Sequence, residues 1–454
     1  MTTPVMARAP ADGISFGEAF RVWLKIGLLS FGGPAGQIAL MHRILVEERR
    51  WVGEGRFLHA LNYCMLLPGP EAMQLATYIG WLLHGTRGGL AAGVLFVLPG
   101  FIAMLVLSIL YALYQDLGAV QGLFFGLKAA VLAVVVEAVI RIGRRALRNR
   151  VQVAIAALAF VAIFFLQLPF PLIVFAAGLA GLLGGRYRPD VFYVLKGHSA
   201  DDEIIIPATH VPAGHGWRHP IRIVSVWLPL WFVPIAFLGA TLGAEHVLTL
   251  EALFFSKAAV VTFGGAYAVL AYIAQQAVEV YYWLLPGEML DGLGLAETTP
   301  GPLIMVTQFV GFMGALRFPE PFSPLTAAVL GSAITTWVTF VPCFLWIFLG
   351  APYVERVRDN RILGSALSCI TAAVVGVILN LAVWFAVHTL FADVREVRFS
   401  IVRLLVPDWT SWNIPATLIA ASAFLAMLTL RWSMLRTLGA AVALGLVVHY
   451  LALR

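Results

Sequence analysis

Long apolar runs alternate with short polar connections over almost the whole chain. About 13 such runs can be read, near 18–40, 58–84, 89–114, 118–140, 151–168, 170–185, 222–243, 252–278, 287–315, 323–350, 363–391, 414–430 and 437–453. Most approach the ~20 residues that cross a bilayer as helix. Segments of about 10 residues with sustained alternation, the mark of a membrane β-barrel, are not found. The pattern predicts an all-α, polytopic membrane protein. The longest polar stretch is 186–221.

Two of the runs are interrupted by helix breakers. Residues 30–37 read SFGGPAGQ and residues 66–70 read LLPGP. Proline removes a backbone donor and glycine weakens a helix, so both segments are expected to break. The breaks recur: VVTFGGAY (260–267) echoes LLSFGGPA (28–35), and TPGP (299–302) echoes LPGP (67–70). An offset of 232 relates Phe31 to Phe263 and Pro68 to Pro300, and also Lys25 to Lys257, Glu47 to Glu279, Trp51 to Trp283 and Met73 to Met305. Further on, GLKAAV (126–131) matches CITAAV (369–374) at offset 243. Several residues held in one register indicate an internal duplication.

Seven runs separate the starts of the two repeats. An odd number turns the second copy over in the membrane, so inverted-topology repeats are expected. The charges agree with this reading. RIGRRALRNR (141–150) belongs on the cytoplasmic side, which also places the N-terminus and 186–221 there. AEHVLTLE (244–251) has no Lys or Arg and belongs outside. YVERVRDNR (353–361) falls inside, whereas its counterpart YQDLG (114–118) falls outside. Loop 41–57 carries Arg43, Arg49, Arg50 and Arg56, yet simple counting puts it outside. It returns to the cytoplasm if 18–40 and 58–84 are re-entrant hairpins broken at GGP and PGP. The expected organisation is a tail (1–15), a first repeat (16–185), the polar loop (186–221), a second repeat (222–391) and a C-terminal loop with two helices (392–454).

Broken helices at membrane depth must face protein, water or ligand. Inverted repeats with discontinuous helices are a recurrent design of secondary transporters. A helix that restarts after a break directs free N–H groups and a positive dipole end at the gap, which suits an anion. The candidate binding set is therefore Ser30, Gly32, Gly33, Pro68, Gly69, Pro70 and Gln74 in the first repeat. In the second it is Thr262, Gly264, Gly265, Thr299, Pro300, Gly301 and Pro302. Lys25 and Lys257 are candidate charge partners, because an ionisable residue inside an apolar run is a functional candidate by default. Asn62, Thr77, Thr298 and Gln308 are further polar neighbours. Glu71, Glu288, Asp291 and Glu297 are candidates for proton coupling. The competing reading makes the breaks simple kinks and close-packing points, Lys25 a snorkelling side chain and Glu71 a helix-end charge.

Composition sharpens the class. Of 454 residues, 61% are hydrophobic and 12% charged, against roughly 25% charged in soluble domains. The net charge of +6 and pI near 9.3 reflect Arg clusters between apolar runs, so no nucleic-acid partner is expected. No apolar core precedes Phe20, so no cleavable signal is expected. Cys64, Cys343 and Cys369 sit in apolar runs without CxxC spacing and read as small buried hydrophobes. His198, His210, His215 and His219 fit no common zinc spacing. No metal and no cofactor is expected. Neither HExxH nor GxxxxGK[ST] occurs, and neither an intramembrane enzyme nor an ATP-driven pump is expected.

Several long stretches carry a family resemblance. SFGGPAGQIALMHR (30–43), EERRWVGEGRFLHALNYCMLLPGPEAMQLATYIGW (47–81), GTRGGLAAGVLFVLPG (85–100), TFGGAYAVL (262–270) and GEMLDGLGLAETTPGPLIMVTQFVGF (287–312) resemble the chromate ion transporter family in its long, two-domain form. The resemblance covers most of 16–390. It implies a bacterial inner-membrane protein with a cytoplasmic N-terminus that exports chromate, driven by the proton motive force. Sulfate, a tetrahedral dianion of similar shape, is the natural alternative substrate, and an anion channel is the alternative mechanism. Membrane lipid is the expected surrounding, and a homodimer stays open. Two positions depart from the pattern. Ala266 stands where the first repeat has Pro34, and Gln37 stands where similar sequences often read His.

Overall fold

The computed structural model describes residues 13–192, 218–263, 266–353, 361–400 and 402–452. Among the described residues the chain is helical almost throughout, and seven helices are long and apolar enough to cross a membrane. In the first half, α1 (Phe16–Leu29), α2 (Gly33–His42) and α3 (Glu54–Cys64) are short. They are followed by α4 (Glu71–Tyr114), α5 (Gly118–Ala146), α6 (Arg150–Phe164) and α7 (Phe170–Tyr187). A single helix, α8 (Arg218–Leu242), leads to the second half. There α9 (Val247–Val261), α10 (Ala266–Gln275), α11 (Pro286–Thr298) and α12 (Val306–Arg317) are short. After them come α13 (Pro324–Gly350), α14 (Arg361–Leu390), α15 (Ile414–Leu428) and α16 (Met434–Ala452). The one departure from the all-α expectation among the described residues is a hairpin, β1 (Val394–Phe399) with β2 (Val402–Pro407), paired antiparallel from Val394–Pro407 to Phe399–Val402.

The short helices are hairpins. At 14 residues α1 is about 21 Å long, too short for the ~30 Å hydrocarbon core. After the break at Phe31–Gly32 the chain turns back. The Arg49 guanidinium reaches Glu18 at 3.0 Å, so residue 49 has returned to the end where α1 began. The basic loop 41–57 therefore lies on the same side as the start of α1, and the conflict in the charge pattern disappears. The run 71–114 also folds over. His84 (φ −138°) and Gly85 (φ +59°) leave the helical region, and the limbs 71–83 and 86–114 lie side by side. Gly80 and Gly88 face each other so closely that a Cβ on Gly80 would stand 2.5 Å from the Gly88 carbonyl oxygen. His84 Nε2 pairs with the Ile14 carbonyl at 2.7 Å, fixing this turn beside the start of α1.

The duplication is reproduced bond by bond. Both α2 and α10 end in a π-turn, Arg43–Glu48 and Gln276–Val280. The bonds Arg49 N–H to Ile44 O and Trp51 N–H to Leu45 O recur as Tyr281 N–H to Gln276 O and Trp283 N–H to Ala277 O. Even the positive backbone angle recurs, at Arg50 (φ 53°) and Tyr282 (φ 55°). The two sets of hairpins open at opposite ends of α4. The first meets it at His84 and the second at Tyr111, whose hydroxyl donates to Asp291 at 2.8 Å. Residues 86 to 111 of a helix span about 38 Å. The halves also exchange their last helices. α6 and α7 pack on α14, and α15 and α16 pack on α5. Gly126 and Gly445 allow the last of these contacts, where a side chain would strike the facing backbone.

Candidate functional site

The four breaks meet in the interior. α1 ends at Ser30 and α9 at Thr262. Each hydroxyl donates back to the carbonyl four residues earlier, Ser30 to Ile26 and Thr262 to Ala258, both at 2.6 Å. The main chain then leaves the helix, and the carbonyls of Ser30 and Thr262 are free of their own helices. The Pro-Gly-Pro segments supply the missing donors, each from the other half. Gly69 N–H donates to Thr262 O at 2.8 Å, and Gly301 N–H donates to Ser30 O at 2.9 Å. Since 30 + 232 = 262 and 69 + 232 = 301, this is one interaction made twice. The break of each half is thus completed by the break of the other.

Glycine is needed at both donors. Gly69 has φ +125° and Gly301 φ +95°, conformations that L side chains avoid. Gly301 lies against α4, where a Cβ would be 3.1 Å from the Gly100 Cα. Gly100 has the reciprocal need, because its own Cβ would stand 2.6 Å from the Pro300 carbonyl oxygen. Gln37 locks this crossing. It is buried, and its Nε2 donates to Gly301 O at 2.5 Å and, at 3.4 Å, to Ser30 O. In the other half Gln74 Nε2 donates to Pro68 O at 2.7 Å. Since both amide nitrogens face carbonyls, their oxygens are oriented away from them, and neither has a partner among the described residues.

Three helical starts face these breaks without a side-chain cap: α2 after Gly32, α4 after Pro70, and a 3₁₀ turn, Leu303–Met305, after Pro302. Away from the breaks, Ser15, Asn149, Ser323 and Asn413 cap α1, α6, α13 and α15, whereas α3, α5 and α7 also start without a side-chain cap. Uncapped starts keep orphan N–H groups and a positive dipole end. Gly32, with φ +88°, has open space where a Cβ would be. Pro68 and Glu71 are half-buried.

The candidate residues fall into distinct places. Gly32, Gly33, Pro68, Gly69, Pro70, Gln74, Pro300, Gly301 and Pro302 build the crossing with Ser30 and Thr262. Gly264 and Gly265 lie outside the described residues. The hydroxyl protons of Ser30, Thr262 and Thr299 are given to helix carbonyls, the last to Ala296 O at 3.2 Å. These hydroxyls therefore have no proton left to give at the crossing. Lys25 and Lys257 lie on exposed faces of α1 and α9, beside exposed Leu24 and Leu28 in one and Leu253 and Val260 in the other.

The acidic candidates separate too. Glu297 is buried next to the second Pro-Gly-Pro. Its Oε1 accepts from the Tyr267 hydroxyl at 2.6 Å, and its Oε2 is 4.0 Å from where a Cβ on Gly33 would stand. Asp291 is buried at the far end of α4, taking Tyr111 and, at 3.1 Å, the Lys128 ammonium, so it ties α11 to α4 and α5. Glu288 accepts the Leu285 N–H at 2.7 Å and, on both oxygens at 3.0 Å, the Arg317 Nη2, which makes it a helix-start and ion-pair residue. Glu71 opens α4. One acid was misplaced by sequence reasoning. Glu251 reads as part of the polar loop 244–251, but it lies within α9 and is fully buried. The available signal was its place in LTLEALFF, with apolar residues on both sides.

A helical membrane protein whose broken helices cross at its centre, in two copies of one motif, has the build of a solute transporter. The comparisons name the family. The chromate transporter family model matches residues 17–182 and 251–446, and the chain belongs to that family. The chromate transport protein of Pseudomonas aeruginosa is 32% identical over 385 residues, 83% of this chain and 82% of that one. A probable chromate transport protein of Synechococcus elongatus is 27% identical, covering 88% of this chain and 91% of its own length. An uncharacterized transporter of Methanocaldococcus jannaschii is also 27% identical, over 96% of this chain. No solved structure matches.

Proposed function

We propose that this protein is a secondary transporter that exports chromate across a bacterial inner membrane, driven by the proton motive force. The two halves are read as inverted repeats, and the anion sits between them at the crossed breaks. The observation that carries this reading is the reciprocal pair of bonds, Gly69 to Thr262 and Gly301 to Ser30. A site built equally by both halves sits where rocking one half against the other exposes it first to one side and then to the other. The uncapped starts after Gly32, Pro70 and Pro302 are the anion donors. Glu297 is the coupling acid in this reading, because it is the buried carboxyl that borders those starts. The basic loops 41–57 and 141–150 support a cytoplasmic side at that face, with the N-terminus on it.

The test is flux in everted membrane vesicles, with chromate and sulfate supplied separately. Accumulation of chromate that collapses with a protonophore is the expected result. Saturable flux that prefers sulfate would reassign the substrate. Flux that only follows the anion's own gradient would make the crossing a channel.

A further inference from the structure

Among the described residues, Glu251 is the one acid with both carboxyl oxygens buried and unpartnered. It is fully buried, and neither carboxyl oxygen has a hydrogen-bond partner among the described residues. The space around it is made by two glycines on different helices. A Cβ on Gly314 of α12 would stand 2.7 Å from Oε1, and one on Gly331 of α13 would stand 2.9 Å from Oε2. The same glycine face continues inward. Gly331 abuts Gly311, and Gly311 abuts the Thr335 hydroxyl. The Ser332 and Thr335 hydroxyls are buried and, as donors, likewise lack a partner among the described residues. A line of unsatisfied polar groups therefore runs from Glu251 along the α12–α13 hairpin.

The equivalent positions of the first half carry no such groups. Glu251 corresponds to Ala19 at offset 232, and Gly331, Ser332 and Thr335 correspond to Gly88, Gly89 and Ala92 at offset 243. The packing of the hairpin does not need the acid, because the first half packs the same hairpin with alanine and glycine. An unpaired ionisable group inside a membrane protein is expensive and marks an ion or proton pathway.

We infer that Glu251 is a proton-carrying residue, which takes up and releases the coupled proton on the side of the second hairpin pair, with Thr335 and Ser332 on the route inward. The step is a plain proton transfer. The carboxylate accepts a proton from water at that end, and the acid returns it to water or to the hydroxyl route when the hairpin shifts. The inference rests on proton-driven transport as proposed above. Titratable and charged groups on the elements next to this position are few. His246 and Glu245 precede α9, Tyr272 and Tyr281 come from α10 and the turn after it, and Arg317 of α12 is held by Glu288 and the Trp283 carbonyl. α13 brings hydroxyls and glycines to this face. None of these groups is an ion-pair partner of Glu251.

The experiment uses the full-length protein in proteoliposomes, comparing Glu251→Gln and Glu251→Asp with the natural chain. Two chromate fluxes are measured: accumulation driven by an imposed pH gradient, and chromate-for-chromate exchange with no gradient. Glu251→Gln is expected to lose driven accumulation by the roughly 5–150-fold that couplings of ordinary size produce, while exchange persists. Glu251→Asp restores part of it. Full driven accumulation in Glu251→Gln overturns the inference. So does equal loss of driven flux and exchange, which would make the residue structural. A readout independent of chromate is labelling of the natural chain by an apolar carbodiimide, located by peptide mass spectrometry. Glu251 is expected to label, and to label less as external pH rises. Labelling that ignores pH, or none, overturns the inference even if the Gln variant does not fold. A natural chain that moves no chromate but labels in this way refutes the chromate reading and leaves the proton residue standing.

Discussion

Replacing Gly301 by alanine probes the crossing at its tightest point. The residue has φ +95°, which costs an L-amino acid about 1–2 kcal/mol. Its new Cβ would lie 3.1 Å from the Cα and 3.5 Å from the N of Gly100, backbone atoms of α4 that cannot swing aside. Overpacking of this kind costs about 1–3 kcal/mol. The expected loss is the sum, about 2–5 kcal/mol. Gly32→Ala is the control. Its φ of +88° imposes a similar strain, but its Cβ meets open space, so only about 1–2 kcal/mol is expected. Gly69→Ala lies between them, since its Cβ would meet Gln74 Nε2 at 2.8 Å and Cys343 Sγ at 2.9 Å, both ends of side chains that can rotate. Thermal unfolding in detergent, followed by size-exclusion chromatography, ranks the three variants. The order Gly301, Gly69, Gly32 from most to least destabilised is expected. Gly301→Ala melting together with Gly32→Ala would refute the reasoning, because contact with Gly100 would then contribute nothing beyond backbone strain.

Gln37→Leu removes the donor shared by Gly301 O and Ser30 O and should cost about 1–3 kcal/mol of thermal stability, whereas Gln37→His, which keeps a ring N–H, should cost less. Arg317→Ala leaves the Glu288 carboxylate without its guanidinium partner. The loss should be about 3 kcal/mol, the low end for a broken buried pair because the Arg317 side chain is 31% exposed, and chemical denaturation of the purified protein measures it. The β-hairpin should loosen in acid. Burial works against ionisation of Glu396, but Arg398 and Arg403 win and hold its carboxyl below the usual range. Its stabilisation is therefore complete above the unfolded carboxyl's titration and is lost as pH falls through the lower, folded value. Hydrogen exchange across 394–407 should accelerate over that acid range, and unchanged exchange would remove Glu396 from the account.

The sequence by itself determined the class, the duplication and the places where helices break. Apolar runs of membrane length and Gly-Pro interruptions act locally, and an offset of 232 is a property of the string. Even the hairpins were implied by one loop, 41–57, whose arginines agreed with the charge pattern only if the chain turned back. What the tertiary structure decided is what each break faces. The Ser30 and Thr262 carbonyls are completed by glycines 271 and 193 residues away (301 − 30 and 262 − 69), a pairing that no local pattern encodes. The acids show the same division. Glu288, Asp291 and Glu297 lie within ten residues of one another, yet one caps a helix and pairs with arginine, one ties two halves together and one borders the breaks. Glu251 looked like a loop residue because its surroundings, Gly314 and Gly331, come from helices 63 and 80 residues further on (314 − 251 and 331 − 251). Burial of a charge depends on which surfaces close over it, and that depends on helices brought together across the fold rather than on neighbours in the chain.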